Sequence, residues 1–284
     1  MIQEAARESK GYSVGGVLTE LGLSKSGYYA YQKRGESTQR QRKRELQSEI
    51  VRIHNENYQI YGAPKITAIL RREGYRIAEK TVGIYMKELK IKAIYVKPYT
   101  RTTLDSDFSS SLRNILKGEF EVSSPNAVWC IDITYIYTIM DGFVYLTSIM
   151  DLYSRLIISW TLSQSMKVEE VLECLKEAKI RRETDKPLII QSDRGSQFVS
   201  YEYQELTDDM KRSYSGKGQP WDNACIEAFH SLIKREWLNR RRIVDYQDAY
   251  HLVFEYIETF YNTTRIHSHN DYLSPKQREN ISQN

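Results

Sequence analysis

The chain has 284 residues, with 41 Lys and Arg against 37 Asp and Glu for a formal net charge of +4. That length supplies one sizeable core and one or two small modules. Three cysteines without a CxxC pair exclude a cysteine zinc site and a disulfide framework, which fits a reducing cytoplasm. No leading segment has a signal-peptide layout and no apolar run approaches membrane-span length, so the sequence reads as soluble and cytoplasmic. Residues 1–120 hold 22 basic and 13 acidic side chains, a surplus of +9; the remainder holds 19 and 24, a balance of −5. A basic front half suits a polyanion partner, and an acidic back half suits a cation-binding catalytic domain.

Residues 14–34 have the pattern of a helix-turn-helix, shared with any plain helical hairpin. A first helix ends at Gly22, Leu23 is expected to pack inward, and Ser24 caps a second helix carrying Lys25, Tyr28, Tyr29 and Tyr31. Residues 39–56 place Leu46, Ile50 and Ile53 at helical spacing. Tyr61 to Gly74 follows, with Pro64 in a first turn and Gly74 as a stop, and then a helix over 81–90. This second helix-turn-helix carries Lys65, Arg71, Arg72, Arg76 and Lys80 as candidate DNA contacts. The division is then 1–38 as an N-terminal helix-turn-helix, 39–96 as a second DNA-binding module, and 97–123 as a linker with a short helix at 112–116. Residues 124–284 form the catalytic core with a C-terminal helix and tail.

Beyond the linker the period changes. Residues 128–138, 143–150 and 156–163 are three β-rich runs, the first two joined through the tight-turn pair Asp141-Gly142. Ser165 is expected to cap a helix with Val168, Val171, Leu172, Leu175 and Ala178 on its apolar face. A strand at 187–192, a helix at 199–210, a long helix facing inward through Tyr246 to Phe260, and a basic tail complete the order. Three antiparallel strands, a helix, a strand and further helices match an α/β ribonuclease-H-like core.

Three acidic residues stand out in that core. Asp132 interrupts the β-forming run Val128 to Tyr137, Asp193 follows the apolar Leu188-Ile189-Ile190, and Glu227 lies in a helix over 221–237. Two like charges about 4 Å apart cost on the order of 4 kcal/mol at an effective dielectric of ~20, so clustered carboxylates need a cation or raised pKa values. All-oxygen ligation favours Mg²⁺ or Mn²⁺, and two such ions can clamp the attacking and leaving oxygens of an in-line displacement. Asp132 would bridge the pair, with Asp193 and Glu227 each holding one ion. Asp222 can cap the helix, and Asn223, Glu227, Ser231 and Lys234 share one face, with Lys234 placed for a DNA phosphate. Cys225, Phe229, Leu232, Ile233 and Trp237 lie elsewhere on that helix and can pack on the sheet. Asp151 reads as a turn former, and His54, His230, His251, His267 and His269 show no metal-ligand spacing.

The segments Trp129–Tyr135, Ser192–Phe198, Trp221–Glu227 with Lys234, and Tyr261–His267 with Leu273-Ser274-Pro275 resemble the insertion-sequence transposases of the IS-three family, second reading frame. Their catalytic core is related to retroviral integrases, and Tyr61 to Lys90 is similar to their second helix-turn-helix. The resemblance implies a DDE triad of Asp132, Asp193 and Glu227, with Lys234 contacting DNA. It also implies strand cleavage by water followed by attack of the 3′-hydroxyl, without a covalent protein intermediate. Implied partners are the inverted-repeat ends of the element, target DNA, further copies of the chain on DNA, and an upstream-frame helix-turn-helix protein. Thirty-three residues separate Asp193 from Glu227, slightly fewer than is typical, and Gln191 stands where a histidine is common. No His/Cys zinc module precedes the core, which favours transposase over viral integrase. A non-catalytic DNA-binding derivative and a nuclease that cuts without joining are the alternative readings.

Overall fold

The structure, a computed structural model, describes residues 13–94, 114–116, 122–183, 188–216 and 223–282. Its front is helical. The Ser13 and Ser24 hydroxyls accept from the Gly16 and Gly27 N–H groups and start α1 (Val14–Glu20) and α2 (Lys25–Lys33). Gly22 makes the turn at φ +63°, but Leu23 is 49% exposed and Leu18 is the buried residue. The inward packing expected of Leu23 is therefore wrong; α2 contributes no buried residue, so the hairpin has too little interior to take it. Next come α3 (Thr38–Glu56), capped by Ser37, then α4 (Ala63–Arg72), with proline in its first turn, and α5 (Glu79–Glu88). The linker expected at 97–123 falls largely outside the described residues; at 115 and 116 two backbone N–H groups donate to the Ser213 hydroxyl.

Asp141-Gly142, with Gly142 at φ +73°, closes a hairpin between β1 (Val128–Thr138) and β2 (Gly142–Asp151). Asp151 then ends β2 by accepting from the Asn126 and Tyr153 N–H groups, and β3 (Ile157–Ser163) returns antiparallel. The expected Ser165 cap is displaced, because its carbonyl accepts from the Ser163 hydroxyl; α6 (Val168–Arg182) starts after Lys167. β4 (Leu188–Ser192) pairs parallel with β1. The helix expected over 199–210 is a 3₁₀ turn at Ser196–Val199 and a short α7 (Tyr201–Leu206), followed by β5 (Met210–Tyr214). The sheet order is β3-β2-β1-β4-β5. After α8 (Ala224–Glu236), α9 (Tyr246–Phe254) widens into a π-helical stretch at Glu255–Tyr261. That widening buries Tyr256, Ile257, Phe260 and Tyr261 together. Asn262 pins its end, donating to the Ile157 carbonyl and accepting from the Ile157 N–H. The tail forms α10 (Pro275–Ser282), clamped to α6 by a two-pronged Arg182–Glu279 pair.

Side chains sort by strand parity into two cores. Trp129, Ile131 and Ile149 face α6, whereas Val128, Cys130, Leu146 and Met150 face α8 and α9. The second core is continuous with the helical front: Ile50, Ile53, Tyr61, Ile66, Leu70 and Val82 belong to it. Tyr58 sets its ring 4.7 Å from Trp237 and 5.1 Å from Phe260, edge-on to both. At this junction Arg265 donates twice to the Glu236 carboxylate, at 2.8 and 2.6 Å, and the Tyr256 hydroxyl donates to it at 2.7 Å. Lys65 lines the adjoining cleft of about 360 Å³ with Arg235, Glu236 and Arg265, its ammonium 4.6 Å over the Tyr61 ring.

Breaking the Arg265–Glu236 pair strands a buried charge. Arg265→Met should cost ~3–5 kcal/mol in urea unfolding, with the lost stability unrelated to DNA or metal. A second test concerns pH. Burial first, and then the Arg265 charge, lowers the Lys65 pKa to about 7 from 10.5. Within that window the unfolded chain binds the extra proton, so Lys65 makes stability rise with pH between those two values. Lys65→Met should flatten that rise in a series of melting curves.

Candidate active site

The parallel ladder of β1 and β4 runs Val128↔Ile189, Trp129↔Ile190 and Cys130↔Gln191. The pairing ends there; Asp132 lies two residues farther along β1, and Asp193 lies just past the end of β4. Parity directs Asp132 to the face that α8 covers, where it is 15% exposed. α8 buries Ile226, Phe229 and Ile233 against that face and leaves Glu227 exposed in its first turn. Partial withdrawal from water, and then the negative charges of Asp132 and Asp193, push the Glu227 carboxyl up to about 7. Asp193 opens an exposed loop and accepts from the Gly195 N–H at 2.8 Å; a Cβ at Gly195 would come within 3.0 Å of the same oxygen. Behind it, buried Gln191 donates to the Ser215 hydroxyl at 3.1 Å, and Arg194 donates to the Ser215 carbonyl. The outer position in question is thus tied to the end of β5.

Among the described residues no group of three or more His, Cys, Asp or Glu is gathered closely enough to hold a metal ion. The carboxylates feel one another's charge without sharing ligand distance. An all-oxygen set under mutual repulsion is the kind of donor group that a hard divalent cation would draw together. Lys234, two turns along α8 from Glu227, lays its ammonium 4.4 Å over the Tyr135 ring. Desolvation lowers its pKa, and Asp132 works the other way.

His230 was not among the residues singled out for function, yet it holds the site together. Its Nε2 lies 2.6 Å from the Ser148 hydroxyl and its Nδ1 3.3 Å from Asp132 Oδ2. Asp132 and Ser148 are direct partners across the β1–β2 ladder, so the ring bridges them. One neutral tautomer satisfies both contacts, with Nδ1–H donating to Asp132 and Nε2 accepting from Ser148. The only local signal was its place one turn after Glu227. Asp222, the expected cap, lies outside the described residues, and Asn223 is buried. Asp151 is buried in its turn, with burial pushing its pKa to about 6 against the two N–H groups it accepts from.

The remaining candidates lie on the helical front. Lys25 and Lys80 are exposed, as is Arg76, whose carbonyl accepts from Arg42. Arg71 donates to the Ile77 carbonyl and Arg72 to the Asp271 carbonyl, while Lys65 faces the cleft beside Arg265. Of these candidates Lys234 is the one whose charge acts with that of Asp132.

Residues 122–220 and 208–275 each match a family model described as an integrase core domain, and 41–99 match an HTH-like domain. The chain is 32% identical over 273 residues to transposase InsF for insertion sequence IS3A of Escherichia coli (strain K12), covering 95% of this chain and 94% of that protein. It is 35% identical over 252 residues to the transposase for insertion sequence element IS904 of Lactococcus lactis subsp. lactis (strain IL1403), covering 85% and 96%. Among solved structures, the HTLV-2 integrase catalytic core domain in complex with magnesium aligns at 20% identity and TM-score 0.42, over 55% of this chain and 97% of that one.

If Asp132 holds a metal ion, His230→Ala should lower strand cleavage by about ten-fold or more, the scale set by loss of an outer partner of a ligating carboxylate. His230→Asn, which keeps a donor toward Asp132, should recover part of it. The half-saturating metal concentration should rise with the loss; a drop in activity with that value and the melting curve unchanged would count against the positioning role.

Proposed function

The chain belongs to the IS3 family of insertion-sequence transposases, and we propose that Asp132, Asp193 and Glu227 are the carboxylates on which its chemistry turns. It is a DNA transposase, a polynucleotidyl transferase built on an integrase core with an HTH-like domain in front. What supports the carboxylate assignment is placement: β1 carries Asp132, the loop just past β4 carries Asp193, and the first turn of α8 carries Glu227, whose pKa is raised by burial first and then by the charges of the two aspartates. Enzymes with this core use divalent metal ions. Here Mg²⁺ or Mn²⁺, held as a pair by these oxygens, would supply Lewis-acid activation of a phosphodiester and its nucleophile.

The chain's own part is positioning. His230 and Ser148 fix the direction of Asp132 from the central strand, and the Gly195 turn fixes Asp193. Lys234 lies beyond Glu227 on the same helix and would hold a DNA phosphate as a point charge. Lys25, Arg71, Arg72, Arg76 and Lys80 would hold the duplex through the front half, whose +9 balance suits that work. Cleavage by water then frees a 3′-hydroxyl at the end of the element, and that hydroxyl attacks a target phosphodiester, displacing another 3′-oxygen. Assembly of several copies on DNA, an upstream-frame partner, and action in the bacterial cytoplasm complete the reading. No described helix is long and apolar enough to cross a membrane.

Asp132→Asn, Asp193→Asn and Glu227→Gln should each abolish Mg²⁺-dependent nicking while keeping DNA binding and the fold. Each swap keeps shape, removes a ligand charge and relieves repulsion. A variant that still nicks at a near-normal rate removes its residue from the set. Asp151→Asn should lose stability at its turn but retain chemistry in the folded fraction. Strand-transfer assays on wild-type protein separate joining from cutting alone.

A further inference from the structure

β1 outruns its cover. On the face toward α6, Trp129 and Ile131 are buried with Ile133 packed beside them. Farther along the same face Tyr135 and Tyr137 are 43% and 62% exposed, and Phe143, across the ladder from Tyr137, is 44% exposed. The rings touch edge to face, Tyr135–Phe143 and Tyr137–Phe143 both at 5.4 Å between centroids. The hairpin tip that carries them is anchored. Ile139 and Met140 donate from their backbones to the Ile243 and Val244 carbonyls, and the Tyr246 N–H donates to Asp141. Three contacting aromatic rings are therefore held open to water on a fixed scaffold, an arrangement that points to a partner.

Charge indicates which partner. The Lys234 ammonium sits over the Tyr135 ring, and exposed Arg242 directly precedes the Ile243 backbone to which the tip is bonded. Aromatic faces flanked by cations fit a ligand that is both flat and anionic, which is a nucleotide of a single strand. Tyr135 lies three residues, about 10 Å, along β1 from Asp132 and on the opposite face, and Lys234, whose charge acts with that of Asp132 and whose ammonium sits over Tyr135, links the two across the edge of β1 beyond the last β4 pair, Cys130↔Gln191. A phosphodiester at the carboxylates would bring its neighbouring bases to these rings.

We propose that Tyr135, Tyr137 and Phe143 form a stacking platform for an unpaired base of the DNA strand next to the phosphodiester being cut, with Lys234 and Arg242 holding adjacent phosphates. This rests on the transposase reading and adds that the DNA end is frayed at the site, its exposed base stacked on protein instead of its neighbour. The test uses the full chain and a duplex bearing the element's terminal inverted repeat, with 2-aminopurine flanking the cleavage position. Binding is read by fluorescence in an Asp132→Asn background, before any chemistry, so that failure of the carboxylate assignment leaves the readout intact. Wild-type aromatic residues should quench the probe. Tyr137→Ala and Phe143→Ala should leave it bright and, with Asp132 present, lower cleavage about ten-fold, while Tyr137→Phe keeps both. An abasic nucleotide at the same position, in unlabelled DNA, should erase the difference in cleavage rate between Tyr137→Ala and wild type. Quenching by both alanine variants equal to wild type overturns the proposal. So does unchanged quenching with lost self-association in sedimentation, which would assign the face to a second copy of the chain.

Discussion

In a parallel ladder neighbouring strands run the same way, and the β1–β4 pairing, which ends at Cys130↔Gln191, leaves Asp132 two residues farther along β1 and Asp193 in the loop just past β4. Strand parity then turns Asp132 toward α8, and the apolar stripe of Ile226, Phe229 and Ile233 that seats α8 on the sheet brings Glu227 to the same place. Nothing in this sequence of causes is specific to DNA. It follows from pairing, parity and helix packing, and the charged group is what the packing leaves at the edge.

That group is held against its own repulsion. Glu227 responds by binding a proton more tightly, whereas Asp132 is held by His230, itself tied to Ser148 on the next strand. A cation that relieved such tension would be bound more strongly than any one carboxylate would manage. Stability is secured elsewhere, at the Glu236–Arg265 and Arg182–Glu279 pairs and in the apolar core shared by helical front and sheet.

Much of the core could be read from local pattern. Asp141-Gly142 and the alternating strands around it announce the hairpin, Asp132 interrupts a β-forming run that has no local use for charge, and Asp193 follows directly on an apolar strand. β5 could not be read in the same way, since Met210-Lys211-Arg212-Ser213-Tyr214 is an edge strand with two basic residues and buried positions only at its end. His230 stayed hidden because one of its partners, Ser148, lies 82 residues earlier in the chain. Lys65 looks like an ordinary basic residue of a DNA-binding helix until Arg265, distant in sequence, is seen to pack beside it. Local chemistry names the groups; only long-range packing says what they face.

The helical front and the sheet share one core, joined through Tyr58, Trp237 and Phe260, and on the proposed function a DNA segment held by the front would be brought to the carboxylates through that junction. Everything in that delivery presumes that a cation sits between Asp132 on β1 and Asp193 just past β4. Fe²⁺ loaded in place of Mg²⁺ and fired with peroxide cuts the backbone within a few residues of wherever the metal binds. The account predicts cuts clustered around 132, 193 and 227, all suppressed by excess Mg²⁺. Cuts confined to other segments, or a pattern that Mg²⁺ leaves unchanged, would contradict it.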